Sequence, residues 1–259
     1  HSLGAPGGTP LAGDYDGDGQ AELAVYQNAN GRWFIQNRAG TLLLWGTPWG
    51  YQDTLPVSGD YDGDGRDDLA IYDPVKGHWY IRSVNGAVLA WQINWGYPHT
   101  RPVMGDYDGD GIHDLAILDE RQGHWFIRGL NGTVLAWRIQ WGFAGGIPVP
   151  GDYDGDGRDD LAIYDPVSNR WYIRQVDKDI LAWGLSWGYA GVVPVPGDYD
   201  GNGRADLMVY DPRRGLWYGR SRGGQVLAWA QPWGYSPALP VPGDLDGDGR
   251  SDLTVAEMP

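Results

Sequence analysis

Apolar and aromatic residues in this chain fall in short runs separated by turn residues, with no helical apolar period long enough to matter. Residues 60–105 show the pattern. An acidic stretch, Asp60 to Asp68, leads directly into Leu69-Ala70-Ile71-Tyr72, which Asp73-Pro74 stops. His78-Trp79-Tyr80-Ile81-Arg82 is a second β-rich run, and Asn85-Gly86 is a two-residue hairpin signal. Val88-Leu89-Ala90-Trp91-Gln92-Ile93 makes a third strand. Trp95-Gly96-Tyr97 opens a linker, and Arg101-Pro102-Val103-Met104-Gly105 returns as a strand into the next acidic stretch. Simple alternation puts Leu89, Trp91, Ile93 and Trp95 on one face of the third strand, with Val88 and Ala90 on the other.

The same 46-residue unit recurs without insertion or deletion. Its acidic stretches begin at Asp14, Asp60, Asp106, Asp152, Asp198 and Asp244. A fixed period in this range means one supersecondary unit per repeat, and four short strands per unit predict a β-propeller blade. The expected fold is an all-β propeller of 46-residue four-stranded blades occupying one domain, residues 1–259. A parallel β-helix has shorter rungs and lacks two-residue hairpins. Repeat counting gives five full units and a C-terminal half repeat, so the ring holds five or six positions. Six is the favoured count, with a last blade whose open edge offers a route to self-association.

Each acidic stretch reads Asp-x-Asp-x-Asp-Gly-x-x-Asp. Glu22 closes the first copy, and Asn202 replaces the third aspartate of the fifth. Acids at positions 1, 3, 5 and 9, a turn-making glycine at 6 and the backbone carbonyl of position 7 can surround one hard cation. The candidate ligand sets are Asp14, Asp16, Asp18, Gln20 and Glu22; Asp60, Asp62, Asp64, Arg66 and Asp68; and Asp106, Asp108, Asp110, Ile112 and Asp114. The other three are Asp152, Asp154, Asp156, Arg158 and Asp160; Asp198, Asp200, Asn202, Arg204 and Asp206; and Asp244, Asp246, Asp248, Arg250 and Asp252. Calcium (Ca2+), about one ion per loop and up to six, suits this donor set better than magnesium, which demands strict octahedral geometry and keeps its waters. An EF-hand needs a bidentate glutamate at position 12. Here that position is Val25, Ile71, Ile117, Ile163, Val209 or Val255, so the chain leaves the loop as a strand.

The formal charge of −15 belongs to these loops. Four acidic positions in each of six loops, less the one lost at Asn202, hold 23 of the 34 acids. The remaining 11 face 19 lysines and arginines, leaving the rest of the molecule at +8, and six divalent ions would bring −15 to −3. A nucleic-acid groove finds no support in this balance. With 42% hydrophobic and 13% aromatic residues the chain can bury a core. It has no cysteine, hence no disulfide or thiolate site. No apolar stretch reaches the ~20 residues of a membrane span, and residues 1–10 lack a signal-peptide pattern, so the chain is expected to be processed or excised. Loops of this kind fill at millimolar calcium, which points to a secreted or cell-surface protein.

Segments such as Pro194-Val195-Pro196-Gly197-Asp198-Tyr199-Asp200-Gly201, followed by Ala205-Asp206-Leu207-Met208-Val209-Tyr210, resemble the FG-GAP/VCBS repeats. Such repeats build the calcium-loaded propellers of integrin α-subunit heads, some fungal lectins and many secreted bacterial proteins. The resemblance covers essentially the whole chain. It implies that the loop joins the innermost strand of a blade to the second, that the Pro-Val-Pro-Gly-Asp segments are the inner strands, and that the metal is structural.

Tryptophan occupies three positions in each of five repeats. Trp33, Trp79, Trp125, Trp171 and Trp217 lie in one strand, and Trp45, Trp91, Trp137, Trp183 and Trp229 in another. Trp49, Trp95, Trp141, Trp187 and Trp233 begin the linkers, with Tyr51, Tyr97, Phe143, Tyr189 and Tyr235 two residues on. Core packing between blades is the favoured reading of all three sets. The linker set is the candidate ligand site, since linkers reach the rim and aromatic faces stack on sugars. Arg82, Arg128, Arg174 and Arg220 are expected to pair inside the protein, with loop acids as the obvious partners. No histidine shares a frame with a nucleophile, and the acids are committed to the loops, so catalysis is not expected. The expected role is a secreted binding, adhesion or display module for a protein or glycan ligand. The alternative is a multivalent lectin using the Trp-Gly-aromatic linkers.

Overall fold

The computed structural model describes residues 3, 7–177 and 179–257, all strand, turn or irregular, with no helix among them. Five four-stranded antiparallel sheets follow one another. Blade 1 holds β1 (Gly8–Gly13), β2 (Glu22–Gln27), β3 (Arg32–Gln36) and β4 (Leu42–Pro48). Blade 2 holds β5 (Leu55–Pro56), β6 (Leu69–Asp73), β7 (His78–Arg82) and β8 (Val88–Asn94). Blade 3 holds β9 (Thr100–Val103), β10 (Leu115–Asp119), β11 (His124–Arg128) and β12 (Val134–Gln140). Blade 4 holds β13 (Ile147–Pro148), β14 (Leu161–Asp165), β15 (Arg170–Arg174) and β16 (Ile180–Ser186). Blade 5 holds β17 (Val193–Pro194), β18 (Leu207–Asp211), β19 (Leu216–Arg220) and β20 (Val226–Pro232). A further sheet has two strands, β21 (Ala238–Pro240) and β22 (Val255–Glu257).

Within each blade the strands pair in sequence order, so every connection is a hairpin and the acidic loop lies between the first strand and the second. The first strand is two residues long in blades 2, 4 and 5, four in blade 3 and six in blade 1. In blade 2 its pairing resumes with Val57 N donating to Ala70 O (2.9 Å) and with the Gly59–Asp68 bridge.

Adjacent blades bury one repeated interface. Ala70, Tyr72, Trp79 and Ile81 of blade 2 pack on Leu115, Ile117 and Phe126 of blade 3. The same arrangement joins blade 1 to 2, 3 to 4 and 4 to 5. Trp33, Trp79, Trp125, Trp171 and Trp217 are fully buried there, as their repetition predicts. Each indole Nε1 donates to the carbonyl of the linker tryptophan sixteen residues on, at 2.5–2.9 Å. One side chain thus fills the blade interface and fixes the linker that follows.

The set containing Trp45, Trp91, Trp137, Trp183 and Trp229 departs from expectation. These side chains are 60–71% exposed and are not core. The cause is a β-bulge. Tyr80 pairs with Trp91 and Trp79 with Ile93, leaving Gln92 unpaired at φ 56°. Equivalent left-handed residues are Gly46, Arg138, Gly184 and Ala230. A second bulge leaves Leu89 unpaired, because Ile81 pairs with Ala90 and Arg82 with Val88, and the two extra residues together break the alternation, so Trp91 no longer shares the buried environment of Leu89 and Ile93.

The bulge generates a prediction. A non-glycine residue in the left-handed region is strained, and two repeats already place glycine there. Ala230→Gly should therefore raise unfolding free energy by about 1 kcal/mol, the relief of strain exceeding the added chain entropy of glycine. Urea unfolding monitored by tryptophan fluorescence checks this. A destabilised variant would show that the position is held for another reason.

Candidate functional site

The acidic loops share one local structure. Position 1 is an aspartate whose carboxylate collects backbone amides. Asp60 Oδ1 accepts from Gly63 N (2.7 Å) and Asp60 Oδ2 from Gly65 N (2.8 Å), and the same pair of bonds forms at Asp14, Asp106, Asp152, Asp198 and Asp244. Gly63 and Gly65 lie at φ near 80°, which turns the chain back over the carboxylates. The position-9 acid accepts from the amide of position 2, as Tyr61 N does to Asp68 (2.9 Å), and likewise for Glu22, Asp114, Asp160, Asp206 and Asp252.

Carboxylate oxygens of positions 1, 3 and 9 converge within 4.8 Å in four loops: Asp60, Asp62, Asp68; Asp106, Asp108, Asp114; Asp152, Asp154, Asp160; and Asp198, Asp200, Asp206. In the first loop the converging set is Asp14, Asp16 and Asp18. At position 5, Asp64, Asp110 and Asp156 each accept from the amide of position 7, that of Arg66, Ile112 and Arg158, at 2.9–3.0 Å, as Asp18 of the converging first set does from Gln20. The side chains at position 7 lie against the preceding loop, where Arg66 packs on Gly17 and Arg158 on Gly109.

The donors fit a hard cation. All are oxygens, and Asp16, Asp108 and Asp200 each hold a buried Oδ1 with no hydrogen-bond partner. Burial first, then repulsion from the neighbouring loop aspartates, raises Glu22, Asp68, Asp114 and Asp160 to about 7, against the pull of the position-2 amide. Asp206, in the loop where Asn202 replaces the position-5 acid, rises to about 6 for the same reasons. Without a cation these groups resist ionisation, whereas a bound divalent ion would compensate the charge at once.

Two half-buried acids, Asp67 and Asp159, escaped sequence reasoning because position 8 does not repeat. It is occupied by Ala21, Asp67, His113, Asp159, Ala205 and Ser251. Each residue's amide donates to the position-1 carbonyl of another loop: Asp67 to Asp14, His113 to Asp60, Asp159 to Asp106, Ala205 to Asp152, Ser251 to Asp198 and Ala21 to Asp244, at 2.6–2.7 Å. Asp159 also accepts from Asp106 N (2.9 Å). Burial, followed in Asp67 by repulsion from Asp14 and Asp60, raises both acids to about 7.

The rim carries a second repeated constellation. In blade 3 a cleft of about 600 Å3 is lined by Trp95, Tyr97, Asp119, His124, Trp137 and Arg138, among others. Trp137 stands edge-on to Phe126 (5.3 Å) and tilted to Trp95 (5.7 Å). The linker ring Tyr97 also meets Phe126 edge-on, and its hydroxyl donates to Asp119 (2.8 Å). The outer and linker tryptophans pair likewise at Trp49–Trp91, Trp141–Trp183 and Trp187–Trp229. Tyr51 bonds Asp73 and Tyr189 bonds Asp211 (2.7 Å), whereas Phe143 has no hydroxyl to offer Asp165.

Of the candidate linker set, Trp141 is buried, Trp49, Trp95 and Trp187 are half-buried, and Trp233 is exposed. Arg82, Arg128, Arg174 and Arg220 do pair internally, but not with loop acids. Their guanidinium groups lie over Trp49, Trp95, Trp141 and Trp187 at 5.5–5.7 Å.

Fold and loops together define a β-propeller built from acidic-loop repeats. The FG-GAP-like repeat family matches residues 14–71, 60–117, 106–163 and 152–209, and the chain belongs to that family. Comparison with curated proteins returns no match. Among solved structures, a lectin from Agrocybe aegerita that recognises non-reducing terminal N-acetylglucosamine is 17% identical, with a TM-score of 0.62 over 97% of this chain and 75% of that chain. Virginiamycin B lyase from Staphylococcus aureus is 12% identical, with a TM-score of 0.59 over 90% of this chain and 72% of its own. BBS1N, solved in complex with ARL6DN, is 14% identical, with a TM-score of 0.54 over 87% and 68%. At these identities the likeness is one of fold. No helix among the described residues is long and apolar enough to cross a membrane.

Asp119 gives the rim a test by pH. Burial by itself would raise its carboxyl, but hydrogen bonds from Gln122 N, the Tyr97 hydroxyl and Arg121 N outweigh burial and hold it below the usual carboxylate range. A lowered folded pKa contributes stability above the unfolded value, about 4, and loses it as pH falls through the folded value. Asp119→Asn should therefore lower stability near pH 7, with the difference from the parent protein shrinking towards roughly pH 3. Urea unfolding of both proteins across that range checks it, and a difference independent of pH would refute it.

Proposed function

We propose that this protein is a secreted, calcium-stabilised propeller that binds glycans multivalently through the aromatic clefts of its rim. The observation that carries the reading is the outward-standing tryptophan beside a partly covered linker tryptophan, repeated from blade 2 to blade 5. A sugar needs an apolar face to stack on and fixed polar groups beside it. In blade 3 Trp137 supplies the first, and Asp119, Gln122 and His124 supply the second. The Agrocybe aegerita lectin supports the reading as a propeller of like fold that recognises a terminal sugar. A protein ligand is the competing occupant of the same clefts, and a structural or display role needs no cleft at all. The acids' engagement in the loops supports a non-enzymatic role, although the lyase shares the fold.

A glycan array is the direct test. Multivalent binding should fall at least tenfold when Trp91, Trp137 and Trp183 together become alanine, with little loss of fold because these rings are exposed. Replacement of Trp95 and its equivalents should weaken binding too, at a greater cost in stability. Silence across the array would favour a protein ligand.

One calcium ion in each of the six loops is the second part of the proposal, with the position-7 carbonyl completing the acidic set. It is supported by the all-oxygen donors and their unpartnered buried atoms. If each site sits at ten times its dissociation constant, linkage gives about 1.4 kcal/mol per site, roughly 8 in all. Chelation should lower Tm by more than about ten degrees. The fifth loop, one charge poorer at Asn202, should empty first, and Asn202→Asp should tighten it. Half-saturation on the order of 10⁻⁴ M would match extracellular calcium and so a secreted protein. An unchanged melt after verified metal removal would defeat the calcium reading.

We also propose six radial positions, the last filled by the two-stranded sheet β21–β22. The support is the set of six loop-to-loop bonds, which ends with Ala21 N donating to Asp244 O. Native cysteines are absent, and a Cβ built on Gly243 would lie 3.0 Å from that of Ala12. The double variant Ala12→Cys, Gly243→Cys should therefore form a disulfide on mild oxidation, once the two strands separate by the few tenths of an ångström that disulfide geometry and the nearby Ala21 require. Failure to cross-link in the folded protein would defeat the six-position reading.

A further inference from the structure

The fifth acidic loop and the β19–β20 hairpin enclose a second kind of cleft, at the boundary between blades 4 and 5. Its volume is about 420 Å3, and it shares no residue with the rim cleft of blade 3. Asn202, Arg204, Asp206, Ser221 and Arg222 supply its polar lining, with Leu181 and Tyr153 beside them. Blades 3 and 4 form the equivalent cleft, of about 200 Å3. There Asp108, Asp156, Asp159, Asp160 and Asp177 face Arg158 as the one lining arginine.

The differences between the two clefts run in one direction. Asn202 stands where Asp156 does, Ala205 where Asp159 does and Gly223 where Asp177 does, while Arg222 takes the place of Val176. Three acids are gone and a cation has arrived. Ser221 replaces Gln175, whose Nε2 donates to Asp154 (2.8 Å) and Asp156 (3.2 Å). Serine is too short to tie down the fifth loop in that way, so the cleft stays open. The other blades do not combine the two arginines. Gln20 goes with Arg38, Arg66 with Val84, Ile112 with Leu130 and Arg158 with Val176.

Both arginines reach across the blade boundary. Arg204 rests on the fourth loop, where a Cβ on Gly155 would meet its Nε at 2.8 Å. Arg222 Nη1 donates to Leu181 O of blade 4 at 3.4 Å. Neither guanidinium has a carboxylate oxygen within 4.0 Å among the described residues. Asp154 feels the charge of Arg222 from farther off, and Asp206 accepts from Tyr199 N (3.0 Å) within its own loop. The Ser221 hydroxyl accepts from Gln225 N (3.1 Å), which leaves its proton free to donate.

We infer that this cleft binds a tetrahedral oxyanion, the phosphate or sulfate ester group of a larger ligand, between Arg204 and Arg222. Two neighbouring guanidinium groups repel each other until an anion lies between them. A carboxylate has two oxygens, which one guanidinium fork satisfies. A phosphate or sulfate ester offers three, enough for two arginines and the Ser221 hydroxyl. The Asn202 carboxamide holds an oxygen for its loop and an N–H for the anion, where aspartate would only repel. The cleft is larger than the anionic group itself, so the Leu181 side receives whatever carries the ester. The site is independent of the aromatic clefts of the rim.

Isothermal titration calorimetry of the whole chain in low-salt, calcium-containing buffer tests this. The probes are phenyl phosphate and phenyl sulfate, with benzoate as the carboxylate control and phenol to subtract stacking at the rim. Expected is saturable binding of at least one ester, weaker binding of benzoate, and loss of affinity as sodium chloride is added. Arg204→Gln and Arg222→Val introduce residues that the chain already uses at these positions, so Tm should hold. Each should weaken the ester roughly tenfold or more, because each removes a charge-assisted bond. Asn202→Asp should weaken it too, opposite to its expected effect on calcium. Preference for one ester would support the site and tell phosphate from sulfate as the source. Absence of saturable binding to both esters would overturn the inference. Affinity unchanged in both arginine variants would place the ester elsewhere and overturn it as well. Benzoate bound as tightly as the esters would overturn the tetrahedral assignment.

Discussion

The structure depends on the tryptophan of each third strand. Its ring fills the contact between adjacent sheets, and its single polar atom, which burial would otherwise leave unpaired, is satisfied by a linker carbonyl sixteen residues on. That bond fixes where the linker leaves the blade, and so where the next inner strand and acidic loop begin. Blade stacking and loop placement are therefore one constraint: a shift in the packing of Trp79 would move Trp95, Tyr97 and the rim cleft with it.

A second constraint acts on the fourth strand. Two bulges in each blade, one of them at a residue with φ between 53° and 69°, break the alternation and send the neighbouring tryptophan outward. The outer tryptophan and the linker tryptophan then meet at the rim over a floor of tyrosine, aspartate and a third-strand aromatic. The arginine that ends the third strand in blades 2 to 5 is drawn to the same linker ring rather than to a loop acid. The proposed cations and the proposed glycan clefts thus follow from a single division of labour, with arginine and tryptophan at the rim and carboxylates with backbone amides in the loops.

Where the chain departs from its own repeat, the local physics changes. Phe143 removes the hydroxyl that Tyr97 gives to Asp119, so blade 4 keeps the aromatic walls but loses one polar link beneath them. Position 8 of the loop varies, and where it is Asp67 or Asp159 a further carboxyl is partly covered against the adjoining loop. Beside β22, Leu23 and Trp233 stand exposed where most of their equivalents in the other repeats are covered.

The sequence by itself determined the all-β class, the repeat unit, the four strands of each blade, the turn glycines and the convergence of acids in the loops. Spacing at 46 residues and spacing within Asp-x-Asp-x-Asp-Gly-x-x-Asp are both local properties of the chain, and no distant contact is needed to read them. Repetition also identified Trp79 and its equivalents as core. The same argument misplaced Trp91 and its equivalents, because repetition marks a position that every blade uses and is silent on which face the side chain takes. A bulge decides that face, and only Gly46 and Gly184 carried a signal of it, since Gln92, Arg138 and Ala230 are ordinary residues held left-handed by their neighbours. The pairing of Arg82 with Trp49 rather than with a loop acid, and the burial of Asp67 and Asp159, were equally out of reach. Each is set by a contact between different blades, and only tertiary packing brings those groups together.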